Sequence, residues 1–251
     1  MKETKITCNI IQPKFESIES LFAIEPNSAI SFMIDANHFL DKLVYYKSIL
    51  NEQDFNYAST RKKASEQQQK TIARAILKIL LSKILEQPVE TIEIVKDHNG
   101  KPFCQNAILK NIHFSISDAS NYLAITIAHS AVGIDIEYIQ PHFQYQNIAS
   151  LHFHQNEILA LKNAADPLLL FYRFWTRKES LLKLDGIGLT DYLKELDMTD
   201  GEKINNIQGL RIEGTYSISS FLMNGHLMVS LSVPSSVNQL RFFNYIANDL
   251  E

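Results

Sequence analysis

Val132-Gly133-Ile134-Asp135-Ile136-Glu137 alternates apolar residues with small or acidic ones at a period of two. On a strand, successive side chains point to opposite faces, so Val132, Ile134 and Ile136 form one face and Gly133, Asp135 and Glu137 the other. The first face is core. The second sets two carboxylates side by side, with a glycine clearing space beside them. Close like charges repel, and a hard divalent cation is one way to hold them together. A solvated strand face ending in a turn is the other reading of the same residues.

Outward from this strand the pattern keeps changing between strand and helix. Upstream, Tyr122–Ala128 and Ala131–Glu137 read as a hairpin pair joined at His129-Ser130, and Phe114–Ser117 as a short strand before it. Asn99-Gly100-Lys101-Pro102 is a turn signal after a short strand over Thr91–Val95. Thr71–Leu85 reads as an amphipathic helix, with Ile72, Ala75, Ile76, Ile79, Leu80 and Ile84 on one broad face, entered from the polar stretch Ser59–Lys70. Ala29–Ile34 reads as a strand and His38–Leu50 as a helix. Downstream, Asp166-Pro167 opens a strong helix that Gly186 stops, and Leu210–Ile218, His226–Val233 and Leu240–Ile246 alternate as strands. Helices and strands thus occur in both halves. That order is consistent with two similar α/β lobes.

The bulk numbers narrow the function. With 251 residues, 45% hydrophobic and 21% charged, the chain can bury a substantial core. A formal net charge of −4 argues against bulk nucleic-acid binding, which needs a basic footprint, but not against a small anion in a local cationic pocket. The two cysteines, Cys8 and Cys104, have no CxxC spacing and read as unpaired thiols in a reducing compartment. Met1–Lys14 shows no basic n-region followed by an apolar run, so no secretory signal is expected, and no apolar stretch approaches the roughly 18 residues of a spanning helix. The expected location is cytoplasmic, with no membrane and no nucleic acid as partner.

The Asp166–Gly186 helix carries the second chemical element. Its stripe runs Leu168, Phe171, Trp175, Glu179, Leu182 at i+3/i+4 spacing. Glu179 sits where the pattern calls for an apolar residue, and a carboxylate on a buried stripe must be paired, protonated or bound to metal. Lys183 lies one turn on. An exposed i,i+4 pair would be worth only about 0.3–0.5 kcal/mol, and it suits poorly a face shared with Trp175 and Leu182. Arg173, Arg177 and Lys178 add positive charge that, with Lys183, could neutralise phosphates.

Gly133-Ile134-Asp135-Ile136-Glu137, followed about 40 residues later by Trp175-Thr176-Arg177-Lys178-Glu179-Ser180-Leu181-Leu182-Lys183 and Gly186-Ile187-Gly188-Leu189, resembles the paired signature of the Sfp-type 4′-phosphopantetheinyl transferases. That pattern is a GIDIE-like strand, then W-x-x-K-E-x-x-x-K with a G-x-G-L tail. Asn99-Gly100-Lys101-Pro102 is similar to the family's GKP turn, and Phe114-Ser115-Ile116-Ser117 to the start of its F-N-x-S-H-S strand. With Arg74 on the preceding helix, the resemblance spans roughly residues 60 to 190.

The resemblance implies the fold class α/β (α+β): a monomeric pseudo-dimer of two similar lobes, each a mainly antiparallel sheet packed with helices, residues 1–118 forming the first lobe and 119–251 the second, with coenzyme A in the cleft between them. It implies a transferase that moves the 4′-phosphopantetheine arm of coenzyme A onto a serine of an apo carrier protein (acyl, peptidyl or aryl), releasing adenosine 3′,5′-bisphosphate. By similarity Asp135 and Glu179 bind Mg²⁺, with Glu137 as a third ligand or just behind the ligands. Glu179 is the candidate base and Lys183 the group that steadies the leaving phosphate. Lys101 and Ser117 help bind the nucleotide end, as does Arg61 or a neighbouring lysine, and Lys178 adds positive charge near the phosphates.

Asp118 departs from the pattern. It stands where the family has a histidine that helps bind the 3′-phosphate of coenzyme A, and a carboxylate there repels that phosphate. Either another cation takes over or nucleotide binding is weakened or altered. Asp118 is also the feature that favours an alternative: a catalytically impaired relative acting as a carrier-protein or nucleotide binding module. The intact Asp135, Glu137, Glu179 and Lys183 set disfavours it. His152 and His154 flank Phe153 without further ligands at zinc-site spacing. His129-Ser130 lacks a placed acid, so a hydrolase triad has no support.

Overall fold

The computed structural model describes residues 4–17, 24–59, 62–188, 191–205 and 210–245. After β1 (Thr4–Ile10) and β2 (Phe15–Glu16), a first unit comprises β3 (Ser28–Asp35), α1 (Leu43–Ser48), α2 (Glu52–Ser59), α3 (Ala64–Leu85), the small hairpin β4 (Ile94–Lys96) and β5 (Pro102–Cys104), then β6 (His113–Ala119) and β7 (Tyr122–Ala128). A second unit comprises β8 (Gly133–Tyr138), α4 (Gln146–His152), α5 (Gln155–Asn163), α6 (Pro167–Asp185), β9 (Gly201–Asn205), β10 (Gly214–Met223) and β11 (Leu227–Pro234); β12 (Gln239–Tyr245) follows.

The two units repeat one plan. In each, the last strand lies between the first and the one before it: β3-β7-β6 and β8-β11-β10, antiparallel throughout. Each sheet is then completed from the far end of the chain. β12 runs parallel to β3, and β1 runs parallel to β10. The full orders are β2-β12-β3-β7-β6 and β8-β11-β10-β1-β9.

Side-chain alternation explains the layering. On β3, Ile30, Phe32 and Ile34 pack with α3, while Ala29 and Met33 face the other way. On β8, Ile134 and Ile136 join that second core with Val229 and Leu231 of β11. The two sheets therefore pack face to face, with α3 covering one outer face and α4, α5 and α6 the other. Both sheets are covered on both sides, and so β3 is buried along almost its whole length. Among the described residues no helix is long and apolar enough to cross a membrane, and both cysteines are buried and unpaired.

The long helices begin and end as their chemistry demands. The Asp166 side chain accepts a hydrogen bond from the Leu169 N–H at 3.0 Å, Pro167 takes the first position of α6, and Gly186 closes it with φ of 78°. Other expectations change. The hairpin over Tyr122–Glu137 does not form: β7 pairs with β3 and β6, whereas β8 pairs with β11 in the other sheet. His129–Val132 carries the chain between sheets. The helix over His38–Leu50 is a single 3₁₀ turn, Ala36–Phe39, followed by the short α1. The strand over Thr91–Val95 shifts to Ile94–Lys96. Helix α3 starts at Ala64, because Glu66–Lys70 are good helix formers whose propensity carries the first turns without an apolar stripe.

Candidate active site

Helix α6 lies directly on β8, and Gly133 is the reason it can. A Cβ at Gly133 would stand 1.9 Å from the Ser180 carbonyl oxygen and 2.5 Å from the Leu184 amide nitrogen. Small hydroxyl residues serve the same close approach to β11. Thr176 Oγ1 lies 2.7 Å from Ser230 Oγ, and Ser180 Oγ 2.7 Å from Ser232 Oγ, all of them buried. The face of β8 that carries Gly133, Asp135 and Glu137 thus meets the helix face that carries Glu179 and Lys183.

Lys183 is the hub. Its Nζ donates to Asp135 Oδ1 and to Ser117 Oγ, both at 2.7 Å. The Ser117 hydroxyl donates to the same Asp135 oxygen at 2.8 Å. The other oxygen, Asp135 Oδ2, is buried and has no hydrogen-bond partner. Burial pushes Glu137 up to about 7 and the Asp135 charge adds to it; Lys183 and a hydrogen bond from the Trp175 side chain pull the other way. Glu179 is likewise raised to about 7, by burial and then by Asp135, against Lys183. Three carboxylates therefore share one ammonium in a half-dry site, a charge deficit that costs free energy unless a further cation is present.

The donor set fits a hard divalent cation. All three side chains offer oxygen, and the buried Asp135 Oδ2 lacks a partner. Among the described residues no three His, Cys, Asp or Glu side chains stand in ready-made metal-binding geometry. Lys183 spans the ground between Asp135 and its neighbours instead.

Other expected site residues divide. Lys101 lines a pocket of about 230 Å³ with Lys183, Ser115 and Gly186. Its Nζ donates to the Leu184 carbonyl at 3.0 Å, capping α6, and burial lowers its pKa. Arg61 lies outside the described residues. Lys178 does not reach the cluster and is corrected to a buried structural role. It is fully buried, pairs with Glu157 at 2.9 Å and donates to the carbonyls of Leu193 and Leu196 at 2.8 and 2.6 Å. One residue along a helix turns the side chain by about 100°, and here that turn takes Lys178 to Glu157, away from the face that carries Glu179.

Asp118 is ion-paired with Lys70 of α3. Lys70, Arg74 and Lys96 gather round the Tyr57 ring, with cationic centres 5.8, 4.4 and 5.7 Å from its centroid. One Arg74 nitrogen, Nη1, is buried without a partner. Sequence reading missed Lys70, Tyr57 and Lys96, which come together only when α2, α3 and β4 pack. It also missed the contact of Trp175 with Glu137, although the lone tryptophan on the same helix stripe was its available signal.

Two family models adjoin along the chain. One described as 4′-phosphopantetheinyl transferase, N-terminal, matches residues 40–130, and the 4′-phosphopantetheinyl transferase superfamily matches residues 131–225. The chain belongs to the 4′-phosphopantetheinyl transferase superfamily. It is similar to the 4′-phosphopantetheinyl transferase gsp of Aneurinibacillus migulanus, 33% identical over 120 residues, 47% of this chain and 48% of that protein. The 4′-phosphopantetheinyl transferase HetI of a Nostoc species is 23% identical over 180 residues, 70% of this chain and 74% of that one. The 4′-phosphopantetheinyl transferase ffp of Bacillus subtilis is 33% identical over 93 residues, 36% of this chain. The chain spans about half the length of the Aneurinibacillus relative and 40% of the Bacillus one.

Proposed function

We propose that this chain transfers the 4′-phosphopantetheine moiety of coenzyme A to a serine hydroxyl of an apo carrier protein and releases adenosine 3′,5′-bisphosphate. The observation that carries the reading is the meeting of Asp135 and Glu137 on β8 with Glu179 and Lys183 on α6, with one carboxylate oxygen buried and unpartnered. Asp135 and Glu179 would hold Mg²⁺, with Glu137 as a third ligand or just behind them. Bound there, the ion would neutralise the coenzyme A pyrophosphate and the charge that grows on it.

The chain's own residues supply the rest. The carrier serine oxygen bonds to the β-phosphorus of coenzyme A as the bond from that phosphorus to the bridging oxygen breaks. Glu179 is the candidate to take the serine proton. The Lys183 ammonium steadies the leaving phosphate as its charge develops. At the nucleotide end, Lys101 remains a proposed contact together with Arg61 and its lysine neighbours. Lys70 neutralises Asp118, so that carboxylate is not left bare to repel a nucleotide phosphate, while Arg74 beside Tyr57 is itself paired with Asp54. The Lys70–Asp118 pairing counts against the impaired-module alternative, which rested on Asp118.

The 1–118 and 119–251 division is proposed as a description of where the motifs fall. We read the protein as a cytoplasmic monomer with no membrane or nucleic-acid partner; two buried unpaired thiols and a duplication within one chain support that. The test is to mix the protein with coenzyme A, Mg²⁺ and several apo carrier proteins and to follow both products by mass spectrometry. Appearance of the arm on a carrier serine with release of adenosine 3′,5′-bisphosphate is expected. Binding of a carrier without transfer would instead favour the non-catalytic module.

A further inference from the structure

Strands β6 and β8 are edge strands of different sheets, yet they abut. In antiparallel pairing only alternate residues of β8 point their N–H groups toward β11, so the others face the open edge. Two of these edge donors are met by serine side chains rather than by a backbone ladder. The Ile134 N–H donates to Ser115 Oγ at 3.1 Å, and the Ile136 N–H donates to Ser117 Oγ at 3.3 Å. All four residues are buried. The period-two spacing of the serines on β6 matches the period-two spacing of the donors on β8, and the two units are stitched there by side-chain to backbone bonds.

Ser117 does more than stitch. A hydroxyl has one donor and two acceptor positions. Here the donor goes to Asp135 Oδ1, and the acceptor positions take the Ile136 N–H and the Lys183 ammonium. These three bonds use the hydroxyl's donor and both its acceptor positions. The hydroxyl also selects which Asp135 oxygen Lys183 takes, because both donors share Oδ1 and leave Oδ2 open.

We propose that Ser117 is a positioning residue: from the first unit it holds the Asp135 carboxylate and the Lys183 ammonium of the second unit in register for transfer. The inference rests on the transferase reading above. Failure of that reading would appear as an inactive wild type, whereas failure of the inference would appear only among variants of an active one. Ser117→Ala should lower kcat about 10–100-fold, the usual cost of losing the partner that orients a reacting group. Its KM for coenzyme A should change less than about twofold. Ser117→Thr keeps the hydroxyl on a strand-compatible side chain and should restore most of kcat. Ser115→Ala removes the matching seam bond without touching Lys183 or Asp135, so it should lower Tm as much as Ser117→Ala does while lowering kcat less. A KM increase at unchanged kcat in Ser117→Ala would overturn the proposal in favour of a substrate contact. Equal kcat losses in Ser115→Ala and Ser117→Ala would also overturn it, by reducing Ser117 to a seam bond. Circular dichroism and Tm of each variant separate these outcomes from loss of the fold.

Discussion

Glu179 and Lys183 are four residues apart on α6 and could have been an exposed pair of no consequence. Their surroundings decide otherwise. Glu179 is held up to about 7 by burial and by the Asp135 charge, and Lys183 bonds Asp135 and Ser117. Glu179→Gln keeps the size and removes proton acceptance, so turnover in a carrier-labelling assay should fall at least about 10²-fold. Lys183→Ala should lower turnover by about 10²-fold through lost stabilisation of the leaving phosphate. Near wild-type rates in both variants would leave the pair as a simple surface bridge. At this scale the carboxylates were legible in the sequence, because alternation on β8 and an acid on an apolar stripe are local signals. The opposite fates of Lys178 and Lys183 were not. Helix α6 is buried on nearly every side, so a helical wheel alone cannot say which lysine meets a buried glutamate and which meets the site.

Among the elements, β8 and α6 define the site by how closely they touch. Gly133 would, with any side chain, drive a Cβ into the Ser180 carbonyl and the Leu184 amide, which are rigid helix backbone. Gly133→Ala should therefore lift α6 off β8. The expected cost is about 1–3 kcal/mol of stability by chemical denaturation, together with loss of turnover as Glu179 and Lys183 move away from Asp135. Full activity in that variant would mean that the contact does not position the site. The caps of α6 were readable because Asp166, Pro167 and Gly186 act within a turn of where they stand. The pairing of β7 with β8 was misread for the converse reason. A short connection permits a hairpin, but the choice of partner belongs to β3, β6 and β11, which lie far off in sequence. The reciprocal placing of β1 and β12 was hidden in the same way.

For the molecule as a whole, the carboxylate cluster is a cost that the rest of the fold must carry. Glu137 and Glu179 stand at about 7 in the native protein against an ordinary 4.5. Between those values the native state holds more protons than the unfolded one, so stability falls as pH rises through this window and levels off above about 7. In chelator, Tm should accordingly drop between about pH 5 and pH 7.5, and Glu179→Gln should make the drop shallower. Glu157, also near 7, adds to the slope, so comparison with the variant isolates the site. Added Mg²⁺ should raise Tm more at the upper pH than at the lower, because the carboxylates that would hold it are then ionised. An unchanged slope in Glu179→Gln would refute the assignment of that cost to the site. The central claim, however, is that carboxylates of β8 and α6 work together on coenzyme A with a divalent cation. Mass spectrometry of an apo carrier protein after incubation with coenzyme A and Mg²⁺ tests it most directly, run with wild type and Asp135→Ala and with chelator in place of the metal. The account predicts one phosphopantetheine arm on a carrier serine with wild type and Mg²⁺, and none in chelator or with Asp135→Ala. Transfer by Asp135→Ala in the presence of chelator would contradict it.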